Sequence, residues 1–283
     1  TRIHQKSADL RHVVQTALER NRKKYDLQSK QLKGTEKRDK YKVYGELINT
    51  YGYNLEPGSK ELTALNYYTN EEITIPLDPT QTPGENAQRY FAKYNKQKRT
   101  FEALTELIQE TADDIQYLES ISNALDIALS EADLAQIKEE LMQSGYIRRK
   151  HTKKKVKLTS KPMHYISSDG YDMYVGKNNL QNEELTFSFA NGNDWWFHAK
   201  GAPGSHVIVK SGGDELPDRT FEEAGRLAAY YSKNRGADKV EIDYIQKKHV
   251  KKPNGAKPGF VVYYTNYSLV IDSDISNIKN VQD

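Results

Sequence analysis

Cysteine is absent from the 283 residues. That excludes disulfides, thiolate zinc centres and a cysteine nucleophile. Long apolar runs are missing too: no stretch approaches the roughly 18 residues of a membrane span. Tryptophan occurs twice and phenylalanine seven times, against twenty tyrosines, a balance that favours aromatic surfaces that remain partly wet. Hydrophobic residues make up 36% and charged residues 29%, with a mean hydropathy of −0.86. The length suits two domains, with much of the chain solvated on several sides. Thr1 opens a helical-looking segment without the pattern of a signal peptide, so the chain is expected to be a fragment, and its chemistry reads as cytosolic.

The net charge of +3 conceals segregation. Residues 1–34 carry nine Lys/Arg against three Asp/Glu, 35–83 five against eight, and 84–146 six against twelve. Residues 147–161 then carry eight against none: Arg148, Arg149, Lys150, Lys153, Lys154, Lys155, Lys157 and Lys161. A second cluster, Lys247, Lys248, Lys251, Lys252 and Lys257 with His249, lies in a nearly neutral C-terminal part. Two dense positive patches point to a polyanion partner, and a solvated linker plus a solvated loop is the plain alternative.

Residues 3–33 read as a long polar helix with one thin apolar stripe, stopping at Gly34. A partner helix is expected over 86–125. With Ala87 as a heptad a position, nine of twelve seam positions are apolar or aromatic, the exceptions being Gln97, Thr111 and Ser122. The pair predicts an antiparallel coiled-coil arm, a surface that could also serve self-association. Between them, 35–83 reads as a small α+β tip: a helix over 41–51, then strands over 62–68 and 72–77. Ser130 is expected to cap a helix through Ser144. The domains expected are therefore 1–34, 35–83, 84–128, a helix and basic linker over 129–161, and a compact sheet-rich α+β domain over 162–283. In that last domain, strands are expected at 164–166, 171–175, 185–189, 195–199, 207–210, 240–245, 260–264 and 268–271, with one helix over 220–233.

The densest local feature is Asn193-Asp-Trp-Trp-Phe-His198, followed by Lys200 and by Pro203-Gly-Ser205-His206. Side chains alternate along a strand, so Trp195, Trp196 and Phe197 cannot all face one core. An exposed aromatic beside Lys200 is what base stacking with phosphate contact requires, whereas a tryptophan covering a second small core is the structural alternative. His198 and His206 lack an acidic residue at ligand spacing, so no metal and no cofactor are expected. No catalytic constellation stands out, and the chain is read as a non-enzyme. The lysine-rich segment 244–259 should run as an extended strand into a loop held by Pro253, Gly255, Pro258 and Gly259, able to track a phosphate backbone.

Five motifs in register carry a likeness to a known family: Asp169-Gly-Tyr171, Val175-Gly-Lys177-Asn178-Asn179, Asp194-Trp-Trp-Phe-His198, Pro203-Gly-Ser-His206 and Lys252-Pro-Asn-Gly-Ala-Lys-Pro-Gly259. Together they resemble the NFACT-R domain of the NFACT family. Residues 54–78 and 85–91 resemble the middle and coiled-coil regions, so the likeness covers essentially the whole chain, as the C-terminal half of a Gram-positive member. The resemblance implies ribosome-associated quality control: binding of a large ribosomal subunit that still holds peptidyl-tRNA, contact with rRNA and tRNA, and support for C-terminal alanine tailing, in the cytoplasm. It implies an arm reaching toward the stalk base, with Lys177, Asn178, Trp195, Trp196, His198, Lys200, Ser205 and His206 joining the two basic clusters as RNA-binding residues. It also brings an alternative, because members in Gram-positive cocci are described as fibronectin-binding adhesins at the cell surface, with roles in attachment and virulence.

Overall fold

The computed structural model describes residues 1–151 and 156–281. They form two units, one of Thr1–Arg20 with Asp114–Asp283 and one of Asn21–Asp113. The protein is α+β, helical toward its N-terminus and sheet-rich toward its C-terminus.

Two long helices contribute to both units: α1, Arg2–Lys33, and α3, Pro83–Ile127. In the Asn21–Asp113 unit they are joined by α2, Arg38–Tyr51, and by an antiparallel hairpin of β1, Glu61–Asn66, and β2, Glu71–Pro76. Asn70 adopts a left-handed φ of 58° in the hairpin turn, a conformation that asparagine tolerates. The core is Leu47 and Ile48 of α2, Leu62, Ala64 and Ile75 of the hairpin, and Ala87 and Tyr90 of α3. A Cβ at Gly45 would stand 2.7 Å from the ring of Phe91, so a larger residue there would have to displace that ring. Gln28 of α1 accepts from the hydroxyl of Thr111 of α3 at 2.8 Å, a buried bond at one of the three polar seam positions.

In the other unit, α1 and α3 run antiparallel beside α4, Glu131–Gln143. Leu10, Val14 and Leu18 of α1 meet Leu118, Ile121 and Leu125 of α3 and Leu134, Ile137 and Leu141 of α4. The third helix explains why Tyr117, Ile121 and Ala124 are buried although they lie off the heptad seam. Ser130 caps α4 as expected, its hydroxyl accepting from the Asp133 backbone at 3.2 Å, while Asp133 accepts in return from the backbone of Leu129 at 3.0 Å.

Among the described residues the larger sheet has seven antiparallel strands: β3, Met163–Ile166; β4, Asp172–Val175; β5, Trp195–Ala199; β6, Val207–Val209; β7, Val240–Gln246; β8, Tyr267–Ile271; and β9, Lys279–Asn280. Their order is β8-β7-β5-β6-β4-β3-β9. Helix α6, Asp218–Tyr230, covers one face over Met173, Val175, Phe197, Val207, Val209 and Ile242. The other face holds a smaller core of Trp196, Ile208 and Ile245 with Leu185, Ala190 and Val250.

Three expected strands differ. Residues 185–189 continue the short helix α5, Asn179–Glu184, as one wide turn closed by the Ala190 N–H on the Leu185 carbonyl at 2.9 Å. The alternation of Leu185, Phe187 and Phe189 looks strand-like, but Asn178 nucleates a helix upstream by capping the Gln181 N–H. Residues 260–264 form only one bridge, Val262 with Lys251. The lysine-rich segment leaves β7 at Gln246 and turns through one 3₁₀ turn, Lys247–His249, so it does not extend as a strand to Lys252.

Candidate nucleic-acid interface

The 3₁₀ turn that ends β7 is held by backbone bonds from Lys247 to Asp194 at 2.8 Å and from Lys248 to Gly192 at 3.1 Å. Val250 anchors it in the small core, and Lys251 pairs twice with Val262. This fixes three lysines on one stretch of surface. Lys248 and Lys251 are exposed and Lys247 half-buried, and none has a carboxylate partner among the described residues. The next two lysines are committed elsewhere. Lys252 is ion-paired with Glu183, and Lys257 with Asp114. The loop between them is therefore tied down at both ends.

The upstream basic run is partly committed as well. Arg149 pairs with Glu139 at 2.7 Å, while Arg148, Lys150, Lys157 and Lys161 are exposed. Lys153, Lys154 and Lys155 lie outside the described residues.

The family-like motifs mainly build the fold. Asp194 is buried; it accepts from the backbone of Asn191 at 2.7 Å and of Ser211 at 2.9 Å, and pairs with Lys210 at 2.7 Å. Trp196 is 1% exposed, so its ring has no face for a base, which corrects the stacking expected of it. Trp195 and Phe197 face α6, and Trp195 meets Phe221 edge-on at 4.9 Å, half-buried. Lys200 lies at the far end of β5 and pairs with Glu241 at 3.3 Å. His198 stacks on Trp196 at 5.6 Å.

Ser205 and His206 are buried, and so is Asn178, which withdraws them from direct RNA contact. Gly259 presents a carbonyl 3.1 Å from His206 Nε2, so the neutral ring carries its proton there, and Nδ1 accepts from the Thr186 hydroxyl at 2.7 Å. Desolvation first, and the neighbouring His198 next, push its pKa down to about 3. Asn178 donates to Gln136 at 2.8 Å, Asn179 donates to Glu140 at 3.0 Å, and Lys177 pairs with Asp133 at 3.1 Å. The Gly-Lys-Asn-Asn segment thus fastens the sheet to α4. Burial raises the pKa of Glu140, opposed by the hydrogen bonds it accepts from Tyr117 and Asn179. Among the described residues no group of three His, Asp or Glu is placed to hold a metal, and no helix is long and apolar enough to cross a membrane.

A further basic surface escaped the charge count along the chain. In the Asn21–Asp113 unit, Lys40 lies 5.6 Å from the rings of both Tyr41 and Tyr44, Lys93 5.2 Å from Tyr41, Lys42 5.7 Å from Tyr94, and Arg38 4.1 Å from Phe101. These segments belong to net-acidic windows, yet α2 and α3 gather their cations side by side. The readable signal was the interleaving of Lys and Tyr over residues 37–44 and 89–99.

Residues 1–160 match the NFACT N-terminal and middle domains, and residues 161–264 the NFACT protein RNA binding domain. The fold and the exposed lysine turn therefore sit on a module of a nucleic-acid-binding class, and the chain belongs to the NFACT family. It is 41% identical over 282 residues to the Rqc2 homolog RqcH of Streptococcus pneumoniae, covering 99% of this chain and 51% of that protein. The Streptococcus suis and Bacillus subtilis proteins of the same name are 42% and 39% identical, covering 99% and 98% of this chain and 50% and 49% of theirs. The chain thus spans about half the length of the curated relatives it matches. The C-terminal structure of the fibronectin/fibrinogen-binding protein from Streptococcus suis superposes with a TM-score of 0.78 at 36% identity, over 99% of this chain and 100% of that one.

Proposed function

We propose that this chain grips RNA of the large ribosomal subunit in ribosome-associated quality control, beside peptidyl-tRNA and in support of alanine tailing of stalled nascent chains in the cytoplasm. The observation that carries the reading is the turn bearing Lys247, Lys248 and Lys251, without carboxylate partners among the described residues, on a domain of the RNA-binding family. Rigidly held lysines neutralise phosphates without reading sequence, which suits a contact to folded rRNA. Arg148, Lys150, Lys157 and Lys161 extend the positive surface in this reading. The pairing of α1 with α3 supplies the arm of the proposal, an antiparallel coiled coil directed at the stalk base, with Lys40, Lys42 and Lys93 as its own phosphate contacts. The role is binding rather than catalysis.

Co-sedimentation with purified large subunits across a salt series tests it. Saturable binding that is steep in salt and lost in a Lys247→Gln, Lys248→Gln, Lys251→Gln variant supports the reading. The name of the Streptococcus suis structure favours a second one, an adhesin that binds fibronectin. Fibronectin binding that persists at high salt, with no subunit binding, would put that reading first.

A further inference from the structure

A groove of about 860 Å³ opens between the start of α4, the strand pair β3–β4 and the wide turn at residues 185–189. Its volume falls within the range of small-ligand sites, about 300–1,000 Å³. Two large apolar side chains stand in it exposed: Leu129 at 80% and Phe189 at 40%. Met163 also lines it, and Tyr174 meets the Phe189 ring edge-on at 4.8 Å, so the two aromatic rings are in contact within the lining. Lys161 is exposed on the groove without a carboxylate partner among the described residues; Lys177 also lines it but is paired with Asp133, Lys210 behind the Phe189 ring at 4.6 Å is paired with Asp194, and Glu184 is the other carboxylate of the lining.

An apolar lining alone would suit a peptide, and lysines alone would suit any phosphate. The combination of an exposed aromatic ring and an ammonium without a carboxylate partner, that of Lys161, in one concave site fits a base with its attached phosphate. A double helix has its bases stacked inward and cannot enter a groove of this size, whereas an unpaired nucleotide can be splayed into it. We infer that this groove receives one unpaired nucleotide of a single-stranded RNA segment, its base against Phe189 and Leu129 and its phosphate on Lys161. The inference rests on the RNA-binding reading above and adds a place where single-stranded RNA is told from duplex.

The test uses the full chain and a single-stranded oligoribonucleotide of about a dozen residues carrying 4-thiouridine. Photo-crosslinked peptides should map to residues 159–163 or 185–189. Phe189→Leu should weaken single-strand binding about fivefold or more with an unchanged salt slope, leaving duplex binding as it was. Lys161→Gln should lower the salt slope by about 0.7. Crosslinks confined to other segments, together with parental single-strand affinity in Phe189→Leu, would overturn the inference, while loss of binding in the Lys247, Lys248, Lys251 variant would still uphold the RNA-binding reading. Protection of the groove by free AMP as effective as that by the oligomer would overturn it too. If the parent chain binds no RNA at all, both fall together.

Discussion

The ammonium of Lys257 is ion-paired with Asp114 on α3 and lies 4.9 Å from the ring centre of Tyr117. The same loop is tied at its other end by Lys252 on Glu183. The lysine-rich segment therefore has two halves of different use. Residues 252–257 fasten the loop to helices α5 and α3, and residues 247–251 leave their charges to solvent.

These halves should separate in mutants. Lys257→Ala should cost about 0.5–1 kcal/mol of stability, the scale of a partly exposed ion pair with a cation–π contact, and leave the salt slope of RNA binding nearly unchanged. The Lys247→Gln, Lys248→Gln, Lys251→Gln variant should unfold at the parental temperature and lose about 2 to 3 from the slope. Thermal unfolding and filter binding over a salt series check both. Equal slopes in the two variants would show that the division is wrong.

Asn178 is expected to matter for the fold. Its side-chain oxygen caps α5 at the Gln181 N–H at 2.9 Å, and its amide reaches Gln136 on α4 at 2.8 Å. Asn178→Ala should lower stability by about 2 kcal/mol, combining a lost cap with a lost buried hydrogen bond. RNA affinity measured well below the melting temperature should stay within twofold of the parent, read by urea unfolding and binding on the same preparation.

Much of this was legible in the sequence. The heptad stripe located α1 and α3, Ser130 marked the start of α4, and the alternation rule at Trp195–Phe197 required two faces. What could not be read was which face each aromatic took. That depends on the small core formed by Leu185 and Ala190 with Val250, which lies far from them in the chain. The strand expected at 185–189 failed for the same reason, since its alternating apolar residues look alike in a strand and in a wide helical turn packed on a sheet. The lysines of α2 and α3 were masked by the acidic residues counted with them in sequence, whereas the fold gathers them around Tyr41, Tyr44 and Tyr94. Polar motifs such as Asn178-Asn179 and Ser205-His206 read as a ligand surface because buried hydrogen-bond networks use the same residue types as binding sites.

The two tryptophans should report their different surroundings. Trp196 lies in the small core, while Trp195 is half-buried beside Phe221 and 6.0 Å from Tyr267. In a Trp195→Phe variant, the remaining fluorescence should resist iodide quenching and stay unchanged on adding saturating RNA. In Trp196→Phe, quenching of Trp195 should be measurable, and stability should fall by about 1–3 kcal/mol for the lost core volume. RNA-induced quenching of Trp196 would contradict its burial.

The acid limb of stability should follow the histidines of the small core. Burial and the neighbouring His198 hold His206 at about 3, against 6.5 for the free side chain, and burial also lowers His198, opposed by the nearby Asp243. The groups facing His206 are Thr186, the Gly259 carbonyl, Asn182, Trp196 and His198. A folded-state value below the unfolded one means that, between about pH 6.5 and 3, the unfolded chain binds a proton that the native chain refuses. Stability is therefore full above that window and declines as pH falls, by about 1.4 kcal/mol per pH unit for His206, with His198 acting in the same direction. Glu140 works in the opposite sense, because its raised carboxyl favours the folded state on the acid side and weakens it as pH rises through the folded value. Urea unfolding from pH 7 to 5 should thus show a net loss on acidification, and the ring resonances of His206 should not move over that range. A His206 titration centred near 6.5 in the folded protein would refute the argument.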